Sequence, residues 1–270
     1  KKRLFDHLPK DAFALVNADD KRGNVMLQNT KARKRTFALK KMADYKAKIL
    51  ENDFTGMRLQ LNEQEIYSPI NGRFNAYNLL ASYAVSRELG MKENEVLKGM
   101  SLLKPAEGRM EMVQNEQGIT GIVDYAHSPD ALENILSTVK EANKHEGQIL
   151  TVLGCGGDRD KEKRPQMAKI ALQFADKVIL TSDNPRSEDP ESIIRDMENG
   201  VAEDEKHKTL TITDRDQAIK TAASLAQKGD IILVAGKGHE KYQEVQGEKK
   251  PFDDKALLSK YLNTKEKAKQ

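Results

Sequence analysis

The run Asp183-Asn184-Pro185-Arg186, continued by SEDP, follows the apolar segment VILTS directly. A carboxylate, an amide and a guanidinium are therefore expected at the C-terminal end of a buried strand, where open α/β sheets bind ligands. Upstream, TVLGCGGDRDKEKRP repeats the arrangement with glycines and alternating charge, and downstream IILVAGKGHE does so again, ending in Glu240. Three strand ends should thus converge on one cleft. Arg159 and Arg186 supply two planar guanidinium forks and Glu240 one anion. That set suits a zwitterionic ligand with two carboxylates and at least one ammonium group.

A cleft of this kind needs a parallel sheet behind it, and the second part of the chain alternates strand and helix in the way that builds one. GITGIVDYA, QILTVLGCG, KVILTSD, TLTITD and GDIILVAG read as strands. Between and after them, SPDALENILSTVKEAN, RPQMAKIALQFA, PESIIRDMENGV, RDQAIKTAASLAQ and a Lys-rich terminal segment read as helices. Ser128 before Pro129 is a helix start with a hydroxyl cap and proline at the first helical position. The boundary of this part falls near KPAEG, residues 104–108, where Pro and Gly interrupt a helical pattern and RMEMV begins to alternate. In residues 1–108, FALVNADD and TFALK read as strands and residues 45–70 as an antiparallel pair. Two helices follow, NAYNLLASYAVSRELG, closed by Gly90, and KENEVLKGMSLL. The fold class expected is α/β, with a Rossmann-like C-terminal domain at 109–270 and a separate α/β domain at 1–108.

Composition excludes several classes. With 32% charged residues and a mean hydropathy of -0.70, and with no apolar run near the ~18 residues that span a bilayer, a membrane role is not expected. The single Cys155 permits no internal disulfide, sits in a Gly-rich turn and fits a reducing, cytoplasmic setting better than a nucleophilic role. Residues 1–50 hold 14 Lys or Arg against 5 Asp. That asymmetry can mark a nucleic-acid face, yet no helix joins a basic stripe to exposed aromatics, so no nucleic-acid partner is expected. The glycines of GCGG follow a strand, but a dinucleotide turn of the G-x-G-x-x-G type needs a third glycine where Arg159 stands. The chain begins at Lys1 without an initiator Met or a signal-peptide pattern, as expected of a fragment.

Six segments, NGRFNAYN, EGRMEMV, VDYAHSPDAL, GCGGDRDKEKRPQM, DNPRSEDP and GKGHE, run in one order over nearly the whole chain. Together they closely resemble the Mur ligases of peptidoglycan synthesis, and among them the MurE branch. The resemblance implies ATP-dependent addition of meso-diaminopimelate to UDP-MurNAc-L-Ala-D-Glu through an acyl phosphate, with ATP and Mg2+ required. It also implies that 1–108 is the distal part of the family's central ATP-binding domain and 109–270 its C-terminal domain. A cytoplasmic monomer is expected. The family's P-loop of the GTNGKT kind has no counterpart here, since no Gly-Lys-Ser/Thr occurs. The N-terminal domain that holds the uridine nucleotide is missing as well, so the chain alone is expected to be inactive.

Individual roles follow from the resemblance. Lys1, in KKRLF, corresponds to the family's carbamylated, magnesium-holding lysine, although on spacing alone it is an exposed basic end. Asn75 and Asn78 are assigned to the adenine edge; read by spacing they equally suit an amide cap and a solvent-facing side chain. Arg109 would reach the ATP phosphates and Asp124 the ribose, with closure about 104–109 gating turnover. His127 is a contact to the peptide or nucleotide rather than a general base, and Lys163 and Arg164 lie near phosphate or at the cleft mouth.

For the amino acid, the resemblance joins Arg159 and Arg186 on the carboxylates. Gly236 supplies backbone, Glu240 receives the distal ammonium, and Asp183, Asn184 and Pro185 complete the pocket. Lysine-adding relatives typically replace the Arg of DNPR. With L-lysine bound, Arg186 would be left unpaired at a penalty of about 2 kcal/mol or more. A lysine-adding or folylpolyglutamate synthetase-like ligase, and a non-catalytic α/β module binding an amino acid or nucleotide, are the alternatives.

Overall fold

The chain folds as two units, Lys1–Lys104 and Pro105–Gln270. The structure is a computed structural model that describes residues 1–143 and 147–267.

The first unit contains α1 (Lys2–Asp6), β1 (Phe13–Asn17), α2 (Gly23–Met26), β2 (Arg33–Ala38), β3 (Tyr45–Asp53), β4 (Gly56–Leu61), β5 (Gln64–Ser68), α3 (Arg73–Glu88) and α4 (Glu93–Ser101). Its sheet has the order β1-β2-β3-β4-β5. The first three strands are parallel, and β3, β4 and β5 form an antiparallel meander. The segment 45–70, expected as a pair of strands, thus yields three. The additional reversal lies at Asn62, whose φ of 51° is the left-handed conformation that Asn tolerates and tight hairpins need. Helix α3 buries Ala76, Leu79, Leu80, Tyr83 and Ala84, the i, i+3, i+4, i+7 stripe of an amphipathic helix. Of these, Ala76, Leu79, Leu80 and Tyr83 pack with Met57, Leu59 and Leu61 of β4. Gly90, at φ 88°, terminates the chain's helical course with its N–H on the Arg87 carbonyl.

The second unit contains β6 (Glu111–Gln114), β7 (Thr120–Asp124), α5 (Pro129–Ala142), β8 (Ile149–Cys155), α6 (Lys163–Phe174), β9 (Lys177–Ser182), α7 (Pro190–Glu198), a 3-10 segment (Glu203–Lys208), β10 (Thr209–Thr211), α8 (Arg215–Leu225), β11 (Ile231–Ala235), β12 (Tyr242–Val245), β13 (Glu248–Pro251) and α9 (Asp254–Lys267). The large sheet runs β10-β9-β8-β11-β7-β6. All its pairings are parallel except β6 with β7, which bears out the Rossmann-like, mostly parallel reading. Every residue of β8 and β11 is buried, as strands covered on both faces must be. Leu150, Val152, Ile179, Ile232 and Val234 pack with Ala218, Ile219, Ala222, Leu258 and Leu262 of α8 and α9. The alternate strand positions point the other way, toward α6 and α7, which lie on β8 and β9.

Ser128 caps α5 through its hydroxyl, which accepts from Ala131 N–H, with Pro129 next. The antiparallel hairpin β12–β13 was not anticipated. Its residues are polar and carry little hydrophobic alternation, and only the turn at Gln246 (φ 51°) and Gly247 (φ 79°) signals it.

Candidate functional site

Because β11 is inserted between β7 and β8, the sheet has a switch point there, the place where loops diverge and leave a crevice. The loops that follow β7, β8, β9 and β11 surround a cavity of 430 Å³. Arg159, Asp183, Asn184, Arg186, Gly236 and Glu240 all line it, and so do His127 and Lys163. The three strand ends picked out in the sequence therefore meet in space.

Two glycines allow this approach. A Cβ on Gly157 would lie 1.9 Å from the Pro185 carbonyl oxygen, so the loops after β8 and β9 touch through bare backbone. The Gly157 N–H donates to the Asn184 carbonyl at 2.9 Å. Gly236 has φ 118°, and a Cβ there would meet Asp183 Oδ2 at 2.5 Å. Side-chain bonds reinforce the same contact. Ser187 Oγ donates to Asp158 Oδ1 at 2.6 Å, and Asp158 N–H to Glu188 Oε1 at 2.6 Å.

Arg164, placed by the sequence reading near phosphate or at the cleft mouth, is instead fully buried. Its guanidinium forks to both oxygens of Glu188 (2.8 and 3.0 Å) and to Asp196 (2.8 Å). It clamps α6 to the 183–189 loop, because a buried guanidinium must be paired. In return Arg164 holds the Glu188 carboxyl down at about 2.

Arg186 adopts φ 52°, and its main chain is pinned on both sides. Its N–H donates to Glu244 O at 3.0 Å, and its carbonyl accepts from Gln246 N–H at 2.6 Å. The side chain sends Nη1 to Gly157 O at 2.7 Å, and Nε lies 4.0 Å from Glu244 Oε2. Among the described residues Nη2 has no partner. Arg159 is exposed, and among the described residues its guanidinium bonds only to the Asp158 carbonyl, at 3.4 Å. Both forks are thus available to carboxylates.

Asn184, Glu240 and Asp183, which also line the cavity, belong to a hydrogen-bonded and ion-paired network. Asn184 Nδ2 donates to Glu240 Oε2 at 2.7 Å, and Asn184 Oδ1 accepts from Lys237 Nζ at 2.8 Å and from Glu244 N–H at 2.9 Å. Asp183 accepts its neighbour's N–H. Burial raises its pKa, while the nearby Arg215 and Lys237 oppose the rise. Adjoining this network Arg215 and Asp254, both 0% exposed at the side chain, form a two-bonded ion pair at 2.8 and 2.7 Å. Arg215 also donates to Ala235 O at 3.0 Å and Ser182 O at 3.4 Å, tying together the ends of β11 and β9. Lys237, Arg215 and the Asp254 pair were missed by the sequence reading. Lys237 sits inside the GKGHE segment, whereas the Arg215–Asp254 pairing joins residues far apart in sequence and leaves no local signal.

Other expected residues fall around the cavity or away from it. His127 Nδ1 lies 2.8 Å from Tyr125 O, and its ring meets that of Tyr125 in a tilted contact, 4.6 Å between centroids. Lys163 Nζ donates to His127 O at 2.8 Å. Arg109 is exposed and lies over the Tyr125 ring, 4.9 Å from its centroid. Asp124 is buried and accepts from Met110 N–H at 2.7 Å, and burial raises its pKa. Its carboxylate holds the 108–110 turn rather than facing the cavity. Pro185 does not line the cavity either; it belongs to the groove on the far side of the loop, because its carbonyl is turned against Gly157. Cys155 is a strand-end rather than a turn residue, buried with its thiol pushed up to about 12, and so inert.

In the first unit, Asn75 and Asn78 lie on α3. Asn75 Nδ2 donates to Asn71 O at 2.7 Å, and Asn78 Nδ2 to Asn75 Oδ1 at 3.1 Å. Lys1 is exposed at the start of α1. Among the described residues no three His, Cys, Asp or Glu side chains are grouped to hold a metal ion. No helix among them is long and apolar enough to cross a membrane.

Comparison with known proteins identifies the family and the fold. A family model described as Mur ligase, glutamate ligase domain, matches residues 108–238, and one described as Mur ligase middle domain matches residues 1–86. The UDP-N-acetylmuramoyl-L-alanyl-D-glutamate--2,6-diaminopimelate ligase of Parabacteroides distasonis is 54% identical over 266 residues, which cover 98% of this chain and 55% of that protein. The protein of the same name from Cytophaga hutchinsonii is 51% identical over 264 residues, 98% of this chain and 54% of the relative. The chain therefore spans about half the length of the curated relatives it matches. A solved structure of a ligase with that name superposes with a TM-score of 0.65 at 38% identity, covering 98% of this chain and 55% of the other. A MurF ligase from Thermotoga maritima solved with ADP shares the fold at a TM-score of 0.70 and 17% identity.

Proposed function

Because this chain belongs to the Mur ligase family, we propose that it is the amino-acid-selecting part of an ATP-dependent ligase that joins meso-diaminopimelate to UDP-MurNAc-L-Ala-D-Glu. The carrying observation is the single cavity that Arg159, Arg186 and Glu240 line together. Meso-diaminopimelate has two carboxylates and two ammonium groups, and L-lysine lacks the second carboxylate. A guanidinium with an open Nη2 is matched by the first ligand and left unpaired by the second.

In this reading the substrate's D-Glu carboxylate is activated as an acyl phosphate at the expense of ATP, with Mg2+ neutralising phosphate charge when bound. This chain's residues hold the acceptor amine. Arg186 and Arg159 fix the carboxylates and Glu240 the distal ammonium, so the reacting amine is presented in one orientation. Holding two reactants in register supplies much of the rate enhancement in such a transfer. Arg109 is proposed to act on nucleotide phosphates, and Asn75 and Asn78 on the adenine edge. Asp124 acts by shaping the turn that carries Arg109. Lys163 and His127 line the side of the cavity from which the peptide substrate would enter. A cytoplasmic location is part of the same proposal, since ATP and nucleotide-linked precursors are found there.

The test is phosphate release by the full-length protein carrying this sequence, with UDP-MurNAc-L-Ala-D-Glu and either meso-diaminopimelate or L-lysine. A preference for diaminopimelate of about 30-fold or more, the equivalent of roughly 2 kcal/mol, is expected. A preference for lysine would overturn the specificity, and no release with either would overturn the ligase reading.

A further inference from the structure

Lys237 is among the largest fully buried side chains, at 0% exposure, and an ammonium is costly to bury without a task. Its Nζ donates to Asn184 Oδ1 at 2.8 Å, lies 3.5 Å from Glu240 Oε2 and stands 5.6 Å from the centre of the Tyr242 ring. The consequence for Asn184 is geometric. Its Oδ1 receives two donors, Lys237 Nζ and Glu244 N–H, so a flipped amide would turn its NH2 group onto both of them. The amide is thereby locked with Nδ2 toward Glu240 Oε2. Glu240, which lines the cavity, in turn has Oε2 engaged by Asn184 and Lys237, while among the described residues Oε1 has no partner.

We propose that Lys237 is a specificity-determining positioning residue: through Asn184 it orients Glu240 so that a single carboxylate oxygen is presented to the ammonium group of the amino-acid substrate. This rests on the reading of the cavity as the amino-acid site. Lys237 does not touch the substrate; it fixes the group that does. Burial depresses its pKa while Asp183 and Glu240 pull it up, and the surrounding anions keep the arrangement compensated.

The experiment compares Lys237→Met, Lys237→Gln, Lys237→Arg and, as reference, Arg186→Ala in the full-length protein, measuring KM for meso-diaminopimelate, KM for ATP and kcat. Methionine keeps the volume and removes the charge. It should raise the amino-acid KM by about tenfold or more, as expected for loss of a charged hydrogen bond, with the ATP KM unchanged. Glutamine retains a donor for Asn184 and should raise the same KM by a smaller factor, and this variant decides the matter if the methionine variant melts without a cooperative transition. Arginine keeps the charge but cannot place its planar fork in the space of an ammonium, so it should not restore the wild-type KM. An unchanged amino-acid KM in the Lys237 variants, or equal rises for amino acid and ATP, would overturn the positioning role. If Arg186→Ala also leaves the amino-acid KM unchanged, the cavity reading itself fails; if it alone raises that KM, only the role of Lys237 does.

Discussion

In the proposed reading of the cavity, replacing Arg186 by Ala isolates what one guanidinium would contribute to amino-acid choice. In the free protein the side chain makes one firm bond, Nη1 to Gly157 O at 2.7 Å, and stands 4.0 Å from Glu244 Oε2. Its loss should therefore cost the fold only about 1 kcal/mol. The backbone at φ 52° is equally unusual for either residue, so strain does not enter the comparison. With meso-diaminopimelate bound, the guanidinium has Nη2 for the ligand carboxylate and Nη1 to share. Charged hydrogen bonds contribute ~1.5–3 kcal/mol each, so removing one of them should raise the amino-acid KM roughly 10- to 150-fold, and removing two should raise it further. L-lysine has no carboxylate for this site, and its KM should change by less than about threefold. The assay is phosphate release with each amino acid varied at saturating ATP. Equal rises in the KM values for diaminopimelate, lysine and ATP would show that Arg186 supports the loop and does not select the ligand.

Three further outcomes are expected. Asp254→Asn leaves the Arg215 guanidinium buried without its carboxylate and should lower stability by about 3–5 kcal/mol, read as the midpoint of denaturant unfolding; a change below about 1 kcal/mol would contradict the clamp. Gly157→Ala would put a methyl 1.9 Å from Pro185 O, so the two loops must part, and calorimetry should show weakened diaminopimelate binding; undiminished binding would refute the close-approach argument. Glu188, depressed to about 2 by Arg164, contributes stability that is complete above its ordinary value of 4.5 and lost as pH falls through about 2. Glu188→Gln should flatten the thermal midpoint against pH across that window, and parallel wild-type and variant curves would exclude the pair as its source.

The parallel sheet was legible because β8, β9 and β11 are continuous apolar runs bounded by glycine and charge, and because Ser128-Pro129 and Gly90 punctuate helices as local chemistry requires. The convergence of Arg159, Arg186 and Glu240 was legible for the same reason: each stands just past a strand end, and a parallel sheet brings such ends to one edge. Arg164 was not legible. It adjoins Lys163 in a run of alternating charges, yet one side chain lines the cavity and the other is buried under Glu188 and Asp196. Helical phase, which depends on where the helix docks, separates them. The hairpin β12–β13 was hidden because its stability comes from bonds to residues 183–187 and not from an apolar face of its own.

That hairpin has an evolutionary corollary. It grips residue 186 by main-chain atoms, through Arg186 N–H to Glu244 O and Gln246 N–H to Arg186 O. The grip is indifferent to the side chain carried there. A single codon change at this position can therefore present a new functional group to the cavity while the main-chain socket around it stays in place, which, if the cavity selects the amino acid as proposed, would make substrate preference an exchangeable part on a fixed mount.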